Sequence, residues 1–229
     1  RQMCIRDRLS IDLWEIDYKN RIEVESAQAI LSSNPNGPSV TRNEFGDLIG
    51  VSTTYFNEKN TFISGIDFQF EYLMEISKGD LSINIMGTSL TDFLTPSLNS
   101  PNKMINRIGK FNFDNHVHSL PKKRINSFIN WSYKNFVLGF STRYIDGYKN
   151  EREITGLGLT YGYQNTVKSF LVHDISLKAS KGNLSYSIYL SNLLDKSAPR
   201  LYDAPDFSFD TRVHDPRGRI LGLNIGYKF

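Results

Sequence analysis

From Leu9 onward apolar and polar residues alternate with a period of two, the pattern of β-strands that have one apolar face. The clearest stretch sets Ile66, Phe68, Phe70, Tyr72, Met74 and Ile76 against Asp67, Gln69, Glu71, Leu73 and Glu75. Ser77-Lys78-Gly79-Asp80 then has a turn composition, and Leu81, Ile83 and Ile85 alternate with Ser82, Asn84 and Met86, which predicts a tight hairpin. The design recurs twice. Residues 125–133 turn at Lys134-Asn135 into a strand beginning at Phe136, and the strand through Leu171, Ile175 and Leu177 turns at Ser180-Lys181-Gly182-Asn183 into one through Leu184, Tyr186, Ile188 and Leu190. Eight strands are predicted: 9–22, one within 47–76, 81–90, 125–133, 136–148, 167–179, 184–193 and 219–229.

Between the hairpins lie long polar segments, 23–45, 91–120, 151–165 and 196–217, which hold most of the Pro and Asn. Loops of this length are uncommon in a compact soluble domain. Short turns alternating with long loops are instead the plan of an outer-membrane barrel, and segments 81–90 and 184–193 have the ~9 to 11 residues that cross a bilayer as tilted strands. The predicted fold is therefore all-β: an antiparallel transmembrane β-barrel fragment of about eight strands, with short periplasmic turns and long extracellular loops. The last strand places Leu221, Leu223, Ile225, Tyr227 and Phe229 on one face, the form of a signal read by the barrel-assembly machinery.

Composition narrows the classes. Of 229 residues 39% are hydrophobic and 13% aromatic, enough for a sizeable fold. Lys and Arg number 27 against 24 Asp and Glu, and a dispersed charge of +3 gives no support to a nucleic-acid partner. Apolar runs fall far short of the ~20 residues of a membrane-spanning helix, a test that does not bear on strands. The single cysteine, Cys4, forms no internal disulfide and belongs to no zinc array. It lies in RQMCIRDR, residues 1–8, which has no signal-peptide architecture and is expected to be a non-native artefact joined to a native segment from residue 9 to 229.

In this order and spacing, several pieces resemble the C-terminal barrel region of TonB-dependent outer-membrane receptors. They are Ile11-Asp12-Leu13-Trp14 with Ile16, Ser64-Gly65-Ile66-Asp67-Phe68, Gly79-Asp80-Leu81-Ser82, and Pro121-Lys122-Lys123-Arg124 with Trp131. Arg143-Tyr144-Ile145-Asp146-Gly147-Tyr148, Asp174, Asn192-Leu193-Leu194-Asp195-Lys196, and Gly218-Arg219 leading to Tyr227 and Phe229 complete the set. Lys123 and Leu194 stand where the family usually has Trp and Phe. The resemblance implies an active transporter in which a roughly 22-stranded barrel encloses a plug. It also implies outer-membrane lipid around the barrel, a TonB energy-coupling complex acting on a short N-terminal box, and a large-solute ligand such as a siderophore. Plug, box and signal peptide are not within this sequence, which matches roughly the last third of such a barrel.

Candidate chemistry is sparse. Arg143, Asp174 and Lys178, with Asp67 and Glu71, fall on polar strand faces that would line a lumen and touch plug, water or ligand. Asp114, His116 and His118 have metal-compatible spacing, and Asp203, Asp206 and Asp210 could gather calcium oxygens, but solvated loop residues explain both groups. The glycines from Gly156 to Gly162 lack the spacing and the following helix of a dinucleotide loop. No catalytic motif and no cofactor motif is present, so a non-enzyme is expected. Competing readings are a complete small barrel of porin or adhesin type, a soluble carbohydrate-binding β-sandwich, and a receptor-like barrel that only signals or docks phage and colicin.

Overall fold

The computed structural model describes residues 7–97, 100–111, 119–151, 154, 156–202 and 207–229. Its strands are β1 (Asp7–Val24), β2 (Val40–Arg42), β3 (Leu48–Val51), β4 (Tyr55–Ile76), β5 (Gly79–Ser97), β6 (Ser100–Asn106) and β7 (Lys123–Tyr133). They continue as β8 (Phe136–Ile145), β9 (Tyr148–Lys149), β10 (Thr166–Val167), β11 (Phe170–Lys181), β12 (Leu184–Ser191) and β13 (Ile220–Tyr227). Two short helices, α1 (Ala27–Ser33) and α2 (Leu157–Thr160), lie in long connections. The main sheet runs β1-β4-β5-β7-β8-β11-β12-β13 with every neighbour antiparallel, and β6 adds to the far end of β5. These eight path strands are the eight the alternation predicts.

Short and long connections alternate around the sheet. The β4–β5, β7–β8 and β11–β12 turns occupy residues 77–78, 134–135 and 182–183, all at one end. Gly79 shows why the first turn is spelled with glycine. Its φ is +99°, and an added Cβ would lie 1.9 Å from the Ser132 carbonyl oxygen. Neighbouring turns are tied together, with Trp131 Nε1 donating to the Lys78 carbonyl at 2.8 Å and Ser180 N–H donating to the Asn135 carbonyl at 3.1 Å.

Register carries the alternation from strand to strand. Leu9 pairs with Phe70, Phe70 with Ile85, and Ile83 with Ile129; Ile129 pairs with Phe140, Phe140 with Ile175, Ile175 with Leu190, and Leu190 with Leu221. One sheet face is thus predominantly apolar across all eight strands, interrupted by the row Ser127, Thr142 and His173. Between Ile66 and Ile76 that band spans ten rises, about 33 Å along the strand, or roughly 25 Å in height at the tilt of a barrel strand, the height of an outer-membrane apolar belt. Near the turns, Tyr133, Phe136, Tyr186 and Tyr227 share this face, and Trp131 stacks on Tyr133 at 6.1 Å, an aromatic girdle.

Among the described residues no second layer covers the band. Leu13 is 79% and Leu223 65% exposed, an expanse that water penalises and hydrocarbon accepts. Among the described residues no helix is long and apolar enough to cross a membrane. The buried hydrophobic cluster is small and sits among the long connections: Phe111, Tyr148, Val167 and Leu201, with Val213 packed on it.

Several loop expectations are corrected. Segment 91–120 is not one loop, because β5 continues to Ser97 and β6 returns beside it. The reason is a β-bulge: Gly65 pairs with Leu90 and Ser64 with Asp92, leaving Thr91 as an extra residue. Beyond it the faces of β5 exchange, so the period-two pattern breaks where the strand does not. Segment 23–45 holds α1, whose Ser26 Oγ accepts from Ala29 N–H at 3.2 Å, and β2, which pairs with β3. The stretch 47–76 divides into β3 and β4. Of the stretch 1–8, Asp7 and Arg8 pair with Tyr72 and Glu71, and residues 1–6, including Cys4, lie outside the described residues.

Candidate functional site

The polar face opposite the apolar band is a ladder of short side-chain bonds. Thr88 Oγ1 donates to Asp67 at 2.6 Å, Gln69 Nε2 to Glu71 at 2.6 Å, and Asn84 Nδ2 to the same Glu71 oxygen at 3.3 Å. Buried Trp14 Nε1 and Asn84 Oδ1 have no partner among the described residues, so hydrogen-bonding capacity is left over on β1 and β5.

Arg143 on β8 and Asp174 on β11 meet on this face, Nη2 to Oδ2 at 3.4 Å. With the guanidinium half exposed, the pair contributes at most about 1 kcal/mol. Asp174 does more by another bond: its Oδ1 accepts the Asn192 N–H at 2.7 Å, a charge-assisted contact of about 1.5 to 3 kcal/mol. Buried Asn192 in turn accepts from Lys196 N–H at 2.8 Å and donates to the Lys196 carbonyl at 2.9 Å. Asn192 and Asp195 both have left-handed φ, +51° and +53°, which their short polar side chains tolerate. The carboxylate thereby fixes the turn that leaves β12.

Around the pair is an open cleft of about 410 Å³ with Phe128, Phe170 and Tyr189 in its walls and Asp215 and Arg217 across from them. Arg217 Nη2 contacts Asp215 Oδ2 at 2.7 Å, and its side-chain and backbone hydrogen bonds hold the Asp215 carboxyl down to about 2. Two guanidinium–carboxylate pairs set over aromatic rings suit a polar solute that exchanges hydrogen bonds with them.

Above this cleft the long connections close over a buried polar cluster. Tyr148 OH donates to Asp210 Oδ2 at 2.9 Å, Ser119 Oγ donates to the same oxygen, and the Asp210 carbonyl accepts from His214 N–H at 3.0 Å. His214 stacks on Tyr148 and meets Phe170 edge-on, and it is 3% exposed. Burial, aided by Arg124 and opposed by Asp210, lowers its pKa to about 4, and its Nδ1 has no partner among the described residues. Burial also raises the Tyr148 phenol, with Asp210 adding to the shift.

No protein-family model and no curated protein matches the chain. Solved structures do. The ferric enterobactin receptor PfeA of Pseudomonas aeruginosa, a G324V mutant, aligns with a TM-score of 0.61 at 14% identity over 99% of this chain and 29% of its own. The outer membrane transporter YddB of Escherichia coli aligns at 0.60 and 15% identity over 100% of this chain and 31% of its own. The copper transporter OprC aligns at 0.58 and 14% over 99% of this chain and 29% of its own. This is the barrel-wall fold of TonB-dependent outer-membrane receptors. The chain spans about 30% of the length of the structures it matches.

Of the residues singled out from sequence, the fold brings Arg143 and Asp174 together and leaves Lys178 apart. Lys178 pairs in register with Val137 and Ser187, four residues nearer the turns and about 13 Å along the strand, and lines a different cleft. Asp114, His116, His118, Asp203 and Asp206 lie outside the described residues. Asp210 is not a solvated loop residue: it is 3% exposed and accepts the hydrogen bonds of Ser119 and Tyr148. The glycine stretch contains the one-turn α2, and Gly162 follows it at φ +71°. Leu221, Leu223, Ile225 and Tyr227 lie exposed on the apolar face of β13. Sequence reasoning missed Asn192, His214 and the Asp215–Arg217 pair. Asn192 and Asp195, turn-forming residues directly after the alternating strand, are the signal that could have been read.

Proposed function

We propose that the chain is the C-terminal part of the barrel of an outer-membrane receptor that binds a scarce nutrient, a siderophore or other large solute, and imports it with TonB-supplied energy. The observation that carries this reading is the register, which gathers the alternating apolar residues of the strands largely on one face and the Arg143–Asp174 cleft on the other. Among the described residues β1 pairs only with β4 and β13 only with β12, so further strands of a larger wall have two edges on which to add. The unspent Trp14 and Asn84 atoms suit a plug seated against the polar face. The activities that PfeA and OprC carry in their names, ferric enterobactin reception and copper transport, support an imported nutrient as cargo.

In this reading Arg143 and Asp174 contact solute or plug inside the wall, Lys178 lines the lumen nearer the periplasm, and the protein is not an enzyme. Leu221, Leu223, Ile225, Tyr227 and Phe229 present the strand to the assembly machinery. The test is uptake by cells carrying the full-length gene. Growth on the cargo that requires both the gene and a working TonB system supports the reading, and uptake unchanged when the proton gradient is collapsed overturns it.

A further inference from the structure

We propose that a second cleft, lined by Lys168, Lys196 and Arg200, binds a multiply charged oxyanion of the phosphate type. The site goes beyond the transport reading and is separate from the Arg143–Asp174 cleft. It lies among the long connections, between the segment entering β11 and the segment leaving β12, with a volume of about 590 Å³. No Asp or Glu stands among its lining residues. Among the described residues none of the three cations has an ion-pair partner.

Like charges on mobile side chains would turn toward separate solvent, but here the backbone under each is fixed. Lys196 sits on the Asn192 turn, gripped by two hydrogen bonds and through Asn192 by Asp174. Lys168 follows Val167, which is 1% exposed and pairs with Tyr148. Arg200 bridges Phe209 through its backbone, and its guanidinium lies 5.3 Å from the centroid of the Tyr163 ring. Stacking occupies a flat face of the guanidinium and leaves the in-plane N–H donors free to fork onto an oxyanion. The hydroxyls of Ser169 and Ser197 line the same cleft and supply further donors.

The charge count selects the ligand class. One carboxylate leaves two of the three cations uncompensated, whereas a phosphate monoester brings about −1.5 to −2 at neutral pH and three acceptor oxygens. That chemistry has two sources, a free phosphorylated solute and the phosphate of a lipid headgroup.

The test uses the full-length protein purified in dodecylmaltoside, titrated calorimetrically with inorganic pyrophosphate and, separately, with micelles doped with phosphatidic acid. Binding is expected to weaken about fivefold or more in each of Lys168→Gln, Lys196→Gln and Arg200→Gln, and to weaken as salt rises from about 50 to about 300 mM. Lys181→Gln, at the opposite end of β11, is expected to bind as the parent does. Heat-modifiable migration on gels confirms that each variant is folded, and because the three sites are substituted singly, one that misfolds leaves two to decide. Binding of pyrophosphate assigns a free solute; binding of doped micelles alone assigns a headgroup. Failure of both probes to bind, or equal loss in Lys181→Gln, overturns the proposal. Uptake is not a readout, so a failed transport reading leaves this test intact.

Discussion

Tyr148 and His214 lie ring against ring, centroids 6.1 Å apart and 5° from parallel, with the Tyr148 hydroxyl turned to Asp210. The pairing holds two connections, 66 residues apart in sequence, in one buried cluster. Its imidazole is neutral in the folded state, with a pKa lowered from 6.5 to about 4. Between these values an opened cluster binds a proton that the packed one refuses, so the packing is at full strength above about pH 6.5 and weakens as pH falls toward 4. Hydrogen exchange around residues 146–150 and 210–214, corrected for intrinsic rates, is expected to quicken over that window. In His214→Phe, which keeps a stacked ring and removes the titration, the pH dependence should flatten; an unchanged slope would remove His214 from this role.

Phe70 and Gln69 are chain neighbours on opposite faces of β4, and Phe70 lies near the middle of the apolar band. Arginine at a lipid-facing midplane position costs about 2 to 4 kcal/mol, and far less toward a lumen. Phe70→Arg should therefore lower the folded fraction of the full-length protein in lipid vesicles well below that of Gln69→Arg. Equal losses would mean that the faces are assigned wrongly.

Asp174 serves Arg143 through charge and Asn192 through an acceptor oxygen. Asp174→Asn keeps an acceptor and Asp174→Ala removes it, leaving a buried N–H unsatisfied at a cost of about 1 to 3 kcal/mol. Limited trypsin digestion should cut at Lys196 faster in Asp174→Ala, with Asp174→Asn close to the parent. Identical cutting in all three would show that the turn holds without the carboxylate.

The sheet has two unlike ends, and in the proposed orientation the long connections face outward. Leu159→Cys, at an exposed position of α2, should react with an impermeant maleimide on intact cells, and Lys181→Cys only after the outer membrane is permeabilised. The reverse pattern would invert the topology.

The sheet was legible in the sequence because one-sided burial writes itself as period two. Every residue of Ile66 to Ile76 but Leu73 reports its face without reference to any other strand, and the tight turns announce where the chain reverses. The site was legible only in pieces. Arg143 and Asp174 are 31 positions apart, and their meeting depends on the register of β8 against β11. His214 and Asp210 read as polar loop residues because their burial comes from Tyr148 and Phe170, contributed by elements distant in sequence. Lys178, equally polar and on the same strand as Asp174, shows that a shared face does not make a shared site.

The extra residue at Thr91 amounts to a change of phase in the sheet. Below it the odd positions of β5 face outward, and above it the even ones do, so Asp92 stands beside Ser64, with the Ser64 hydroxyl donating to it at 3.4 Å, in place of an aliphatic neighbour. The outer surface thereby turns from greasy to wettable without a break in the strand. Deleting Thr91 would restore a regular ladder and keep both faces as they are, because it removes only the unpaired residue: Asp92 would still stand outward beside Ser64, and Phe93 inward opposite Ile63. Flattening the bulge with Thr91 retained is what would turn the rim inside out, since Thr91 would then take the place opposite Ser64 and carry Asp92 inward and Phe93 outward.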